Sequence, residues 1–109
     1  DTERSVGFPF RSLAAEDGVL FPDHHVTSAE VGSRRTLERA VDELEPGVTE
    51  LHLHPAIDTP EQRAFDPSWS QRVDDHHLLC FDTELPEALR RAGAILIGYR
   101  ELRELQRAG

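Results

Sequence analysis

Eleven consecutive residues, Pro46-Gly47-Val48-Thr49-Glu50-Leu51-His52-Leu53-His54-Pro55-Ala56, restrict the fold more than any other part of the chain. Pro46-Gly47 turns the backbone and ends whatever precedes it. Side chains alternate along a strand, so His52 and His54 share one face while Leu51 and Leu53 share the other. Pro55 has no N–H to give to a ladder, which predicts a strand over 48–54 that stops there. His54 is left at the carboxyl end, the edge where α/β folds place their chemistry. The expected place of its imidazole is therefore a pocket mouth beside the exits of neighbouring parallel strands.

The flanking segments extend this unit. Leu37, Ala40, Val41 and Leu44 fall on one helical face, Ser33 suits an N-cap, and Pro46-Gly47 stops the helix. Gly18-Val19-Leu20-Phe21 reads as a buried strand halted by Pro22 and Asp23, with a polar exit loop through His24 and His25. Strand, helix and strand in that order make a βαβ unit with parallel strands. Residues 55–70 carry Pro55, Pro60 and Pro67 and read as a long functional loop. Further helices are expected around Gln71–Leu79, through Leu85, Ala88, Leu89 and Ala92 to Gly93, and over Tyr99–Ala108. A turn or two of helix fits Ser12–Glu16, ended by Gly18, and Ala94-Ile95-Leu96-Ile97 reads as a buried strand. The fold class is α/β, one domain over 1–109, with a mainly parallel sheet of about three strands flanked by helices. So thin a parallel sheet leaves open edges and suggests half of something larger, or self-association.

Composition narrows the partners. With 21 acidic and 12 basic residues the formal charge is -9, which opposes binding to nucleic acid or to anionic membranes. All the basic residues are arginine, a composition bias without functional content. A 38% hydrophobic share can build a core without disulfides. Cys80 is alone, which excludes an intrachain disulfide, favours a reducing, cytoplasmic setting and suits a small buried side chain. No apolar run approaches the roughly 20 residues that cross a bilayer, and the opening Asp1-Thr2-Glu3-Arg4 lacks both an initiator Met and a signal-peptide layout. A soluble chain, trimmed or partial, is the expectation.

Several side chains carry candidate chemistry. An HxH on a strand can bring two imidazoles to one zinc ion, with Asp23, His24, His25 or Asp58 as the source of a third ligand; equally, both can be polar residues on a half-buried face. Asp23 beside His24 and His25 can orient one imidazole or simply be solvated. Asp74-Asp75-His76-His77 cannot converge on one ion, because successive helical residues diverge by about 100°, and reads as a solvated helix start. Arg72 can reach back to a carboxylate of the preceding loop or cover apolar surface. Trp69 suits a sugar-stacking platform or a core anchor. The absence of a Gly-rich phosphate loop, GxSxG or paired cysteines leaves nucleotide binding, serine hydrolysis and zinc fingers without support.

Taken together, Pro46-Gly47-Val48-Thr49-Glu50-Leu51, then His54-Pro55, a proline-bearing loop, Arg72 with Asp75 three later, and the closing Ala92-Gly93-Ala94-Ile95-Leu96-Ile97-Gly98-Tyr99-Arg100-Glu101-Leu102 resemble the carboxyl-terminal part of the YdjC-like (ChbG/HpnK) carbohydrate deacetylases. Phe21-Pro22-Asp23 fits as well, so the likeness runs from about Phe8 onward. The resemblance implies a partial (β/α) barrel and metal-dependent hydrolysis of an N-acetyl group on an amino sugar. It implies a divalent ion, Zn or Mg, held by an Asp and histidines of an amino-terminal half that this chain lacks. His54 matches the family's "HP" histidine and is the expected catalytic proton donor. Asp23, Trp69 and Arg72 are the candidates for binding substrate, and His52 is a candidate metal ligand. His52 stands where an apolar or small residue is commoner, and Ala56 replaces a frequent glycine. The expected partners are an N-acetylated carbohydrate and either the amino-terminal half or a second copy of the chain. A non-catalytic remnant of the same fold is the competing reading.

Overall fold

Helix α1 (Phe10–Glu16) opens the part of the chain that the computed structural model describes, residues 7–27 and 33–109. Strand β1 (His24–Thr27), helix α2 (Ser33–Asp42), strand β2 (Thr49–His52) and helices α3 (Pro60–Phe65), α4 (Trp69–Phe81), α5 (Glu84–Arg91) and α6 (Tyr99–Ala108) follow. The chain clusters into two units: Asp23–Ile95, and a second that joins the described residues up to Pro22 to Leu96–Gly109.

In the first unit, β1 and β2 pair in parallel with His25 opposite Glu50, Val26 opposite Leu51 and Thr27 opposite His52. The ladder starts at Val48, whose carbonyl accepts from the N–H groups of Asp23 and His24 at 2.8 and 3.0 Å. Val26 and Leu51 are half-buried on one face, and the alternation places His25, Glu50 and His52 on the other. The core lies among helices. Leu37 and Val41, one turn apart on α2, are buried together with Val73 and Leu78 of α4, and α2 packs against α4 and α5. Thr59 caps α3 by accepting the Gln62 N–H at 3.1 Å, with Pro60 in the first turn where its missing N–H costs nothing. Asp82 accepts the Leu85 N–H at 2.8 Å at the start of α5.

In the second unit the Leu20 N–H donates to Gln106 of α6 at 2.8 Å, and the Arg11 guanidinium lies over the Phe21 ring at 5.5 Å. Glu101 reaches back to the Gly98 N–H at 3.0 Å and closes the first turn of α6. No helix among the described residues is long and apolar enough to cross a membrane.

The mixed α/β class holds, but the sheet has two strands among the described residues, so the expected layer of about three strands is not formed there. Neither Gly18–Phe21 nor Ala94–Ile97 is a strand. The reason is the same at both places. Gly18 and Val19 donate to the carbonyls of Ala15 and Ala14, and Gly93 and Ala94 to those of Arg90 and Leu89, so the amides that would open each strand close the preceding helix instead. Ile95 and Leu96, expected inside, are 85% and 76% exposed. The strand forms later, at His24–Thr27, where Asp23 meets Val48. The loop expected over 55–70 is likewise interrupted by α3 and by the start of α4.

Candidate functional site

The strand expected over 48–54 is shorter, ending at His52; His54 follows it by two residues, and its ring lies against that of His52 with centroids 4.5 Å apart. His25 of β1 continues the row at 5.9 Å from His52. Its Nδ1 is 2.8 Å from Oε1 of Glu50, which sits opposite it in the register. Three imidazoles and one carboxylate thus line the open face of a parallel strand pair. His25, His52 and His54 are all exposed. Among the described residues, the depressions beside Leu85, beside Asp74 and beside Tyr99 are lined by side chains other than His54.

The backbone beneath His54 is held firmly by α4. The His54 N–H donates to Oδ2 of Asp75 at 3.1 Å, and the Ser33 hydroxyl donates to Oδ1 of the same carboxylate. Asp75 is 2% exposed, which corrects the reading of Asp74–His77 as a solvated helix start; Asp74 and His77 are exposed as expected. A carboxylate so buried is tolerated because both oxygens accept hydrogen bonds. Two residues on, the Ala56 N–H donates to the Arg72 carbonyl at 3.0 Å.

Arg72 does reach back to the loop: its Nε donates to Asp66. The Ser68 N–H, and then the Arg72 guanidinium, hold the Asp66 carboxyl below the usual carboxylate range. Trp69, half-buried, carries the Arg63 guanidinium over its ring at 4.1 Å, so its ring is stacked on a cation rather than open to a sugar on that side. Arg63 in turn makes a two-point contact with Asp58 at 2.7 and 2.8 Å, which lowers the Asp58 pKa.

Asp23 lies elsewhere. Its Oδ2 accepts the Val48 N–H at 2.7 Å, which places it at the amino end of the sheet. Six residues of β2 and its exit separate that point from His54, about 20 Å of extended chain. The expectation that Asp23 marks a strand exit beside His54 is therefore corrected, because β1 begins after Asp23 instead of ending before it. No three Asp, Glu, His or Cys side chains among the described residues converge so as to hold a metal ion. Of the side chains expected to share an ion with His52, Asp23 accepts from Val48, Asp58 pairs with Arg63, and His25 is bonded to Glu50. Cys80, expected inside, is exposed near the end of α4. The residue that sequence reasoning undervalued is Asp75; its one visible signal was its spacing of three from Arg72.

Compared with models of protein families, with curated proteins and with solved structures, the chain finds no match.

Proposed function

We propose that this chain is the carboxyl-terminal half of a cytoplasmic carbohydrate deacetylase of the YdjC-like type, with the His54 imidazole as proton donor to the leaving amine of an N-acetylated amino sugar. The observation that carries the reading is the position of His54: just beyond the carboxyl end of a parallel strand, on the open face, ahead of Pro55 and held by α4. In the reaction, the acetyl C–N bond breaks, water gives its hydroxyl to the acetyl carbon and its remaining proton to solvent, and the imidazolium delivers a proton to the sugar nitrogen and regains one from solvent. Such proton transfer contributes about 100-fold to 10,000-fold. Arg72 and Trp69 support the loop that leads into α4, and substrate contacts from them are part of the proposal.

The described residues do not fit a complete metal site. The Zn or Mg ion that the resemblance implies is assigned, on this proposal, to ligands outside this chain, and no step is derived through it. The exposed imidazole face and the exposed Ile95 and Leu96 are the surfaces that the other half, or a second copy, would cover.

The same open face and the lack of a metal-ligating trio among the described residues favour a second reading, a non-catalytic remnant of this fold. Acetate release from N,N'-diacetylchitobiose by the longest natural form of the protein separates the two. The deacetylase reading expects turnover that falls at least about 100-fold in His54→Ala with an unchanged unfolding temperature, and none from the 109-residue chain alone. Wild-type turnover in His54→Ala would overturn it, and no turnover from any natural form favours the remnant.

A further inference from the structure

We propose that Asp75 is a positioning residue for His54, acting through the backbone: its buried carboxylate fixes the peptide that carries the reacting imidazole. The inference rests on the deacetylase reading for the role of His54, but its geometry is independent of that role.

The helix α4 offers one side chain to two other segments at once. Asp75 Oδ1 accepts the hydroxyl of Ser33, the first residue of α2, and Oδ2 accepts the N–H of His54 beyond the end of β2. Among the described residues the last ladder pair is Thr27 with His52, and two residues on the His54 N–H donates to the Asp75 carboxylate. Without that acceptor the peptide would be freer to rotate, and the His54 side chain with it. A charged acceptor makes a stronger and more directional bond to an N–H than a neutral carbonyl does. The second tie, from the Ala56 N–H to the Arg72 carbonyl, lies two residues further along and so brackets Pro55. Between the two ties the chain has little freedom, because Pro55 fixes its own φ. The His54 ring therefore leaves the backbone in one direction, along the face it shares with His52.

The placement also explains why a carboxylate is tolerated in so small a core. Val73 and Leu78 on the same helix are buried for packing, whereas Asp75, 2% exposed, adds no apolar area and is costly unless both oxygens are satisfied. A structural role alone would be met as well by an apolar side chain of similar size. Orientation of the His54 peptide would not.

Amide hydrogen exchange followed by NMR on the 109-residue chain tests this without substrate or metal. In the wild-type chain the His54 amide should exchange far more slowly than the exposed amides of Asp58 or Ile95. In Asp75→Ala, which leaves the His54 N–H without its acceptor, the His54 amide should lose about tenfold protection beyond any loss shared by the α4 amides. The contacts between the His52 and His54 rings should be averaged out. Leu37→Ala is the control: it lowers stability throughout the unit and should leave His54 no worse than its neighbours. Ser33→Ala, which keeps the Oδ2 bond, should leave the His54 amide protected. An unprotected His54 amide in the wild-type chain overturns the proposal, whether or not Asp75→Ala folds. So does a loss in Asp75→Ala no larger at His54 than in α4. Exchange reports the hydrogen bond and acetate release reports the reaction, so the positioning role and the deacetylase reading fail separately.

Discussion

Replacing Gly47 by alanine should cost about 2 kcal/mol, and the structure says where each part of the loss arises. Gly47 has φ +114, in the region where a side chain clashes with its own backbone, so alanine there carries about 1–3 kcal/mol of strain. An added Cβ would also lie 2.5 Å from Oδ2 of Asp23, the oxygen that accepts the Val48 N–H. The short Asp23 side chain can escape only by rotating away and giving up that hydrogen bond, a further loss of about 1 kcal/mol. Reduced freedom of the unfolded chain returns about 0.4–1 kcal/mol. For a chain of this size the net loss corresponds to a fall in unfolding temperature of roughly 10 °C. Thermal denaturation followed by circular dichroism measures it. A double-mutant cycle isolates the contact, because in an Asp23→Ala background the same glycine substitution should cost about 1 kcal/mol less. An unfolding temperature for Gly47→Ala within 2 °C of wild type, on the order of 0.5 kcal/mol, or strict additivity with Asp23→Ala, would refute both the strained turn and the structural role of Asp23 at the sheet entrance.

Two other outcomes can be checked directly. Asp58, Asp66 and Asp82 are held below the usual carboxylate range, Asp58 and Asp82 first by hydrogen bonds from Arg63 and Arg34 and Asp66 first by the Ser68 N–H. A depressed folded-state pKa means that their contribution is fully present above the unfolded value of about 3.9 and is lost as pH falls through the folded values. Urea midpoints should therefore drop as pH falls below about 4, and that drop should shrink in Asp66→Asn and Asp82→Asn. Exposed Cys80 should react with Ellman's reagent in the native chain nearly as fast as in denaturant; a fully protected thiol would contradict its placement.

Where neighbours in sequence decide the outcome, the residues alone were sufficient. Leu37 and Val41 at helical spacing announce α2, although it ends at Asp42, before Leu44 and short of Pro46-Gly47, and alternation puts the His52 and His54 rings side by side. The helices after residue 69 follow from their caps and periodicity in the same way. What the residues alone could not decide depends on partners distant in the chain. A run such as Ala94–Ile97 is a strand only if another strand takes its hydrogen bonds, and here the amide of Ala94 is taken by the helix it follows. His24–Thr27, polar by composition, becomes a strand because Asp23 and Val48 bring it into register with β2. Asp75 is 21 residues from His54 and 42 from Ser33 along the chain, and apart from its spacing of three from Arg72 no local pattern distinguishes it from exposed Asp74 beside it. Its burial, and with it the direction of the His54 peptide, was fixed only when α4 packed against α2, since a carboxylate becomes an interior group only where donors from separate segments arrive together to satisfy it.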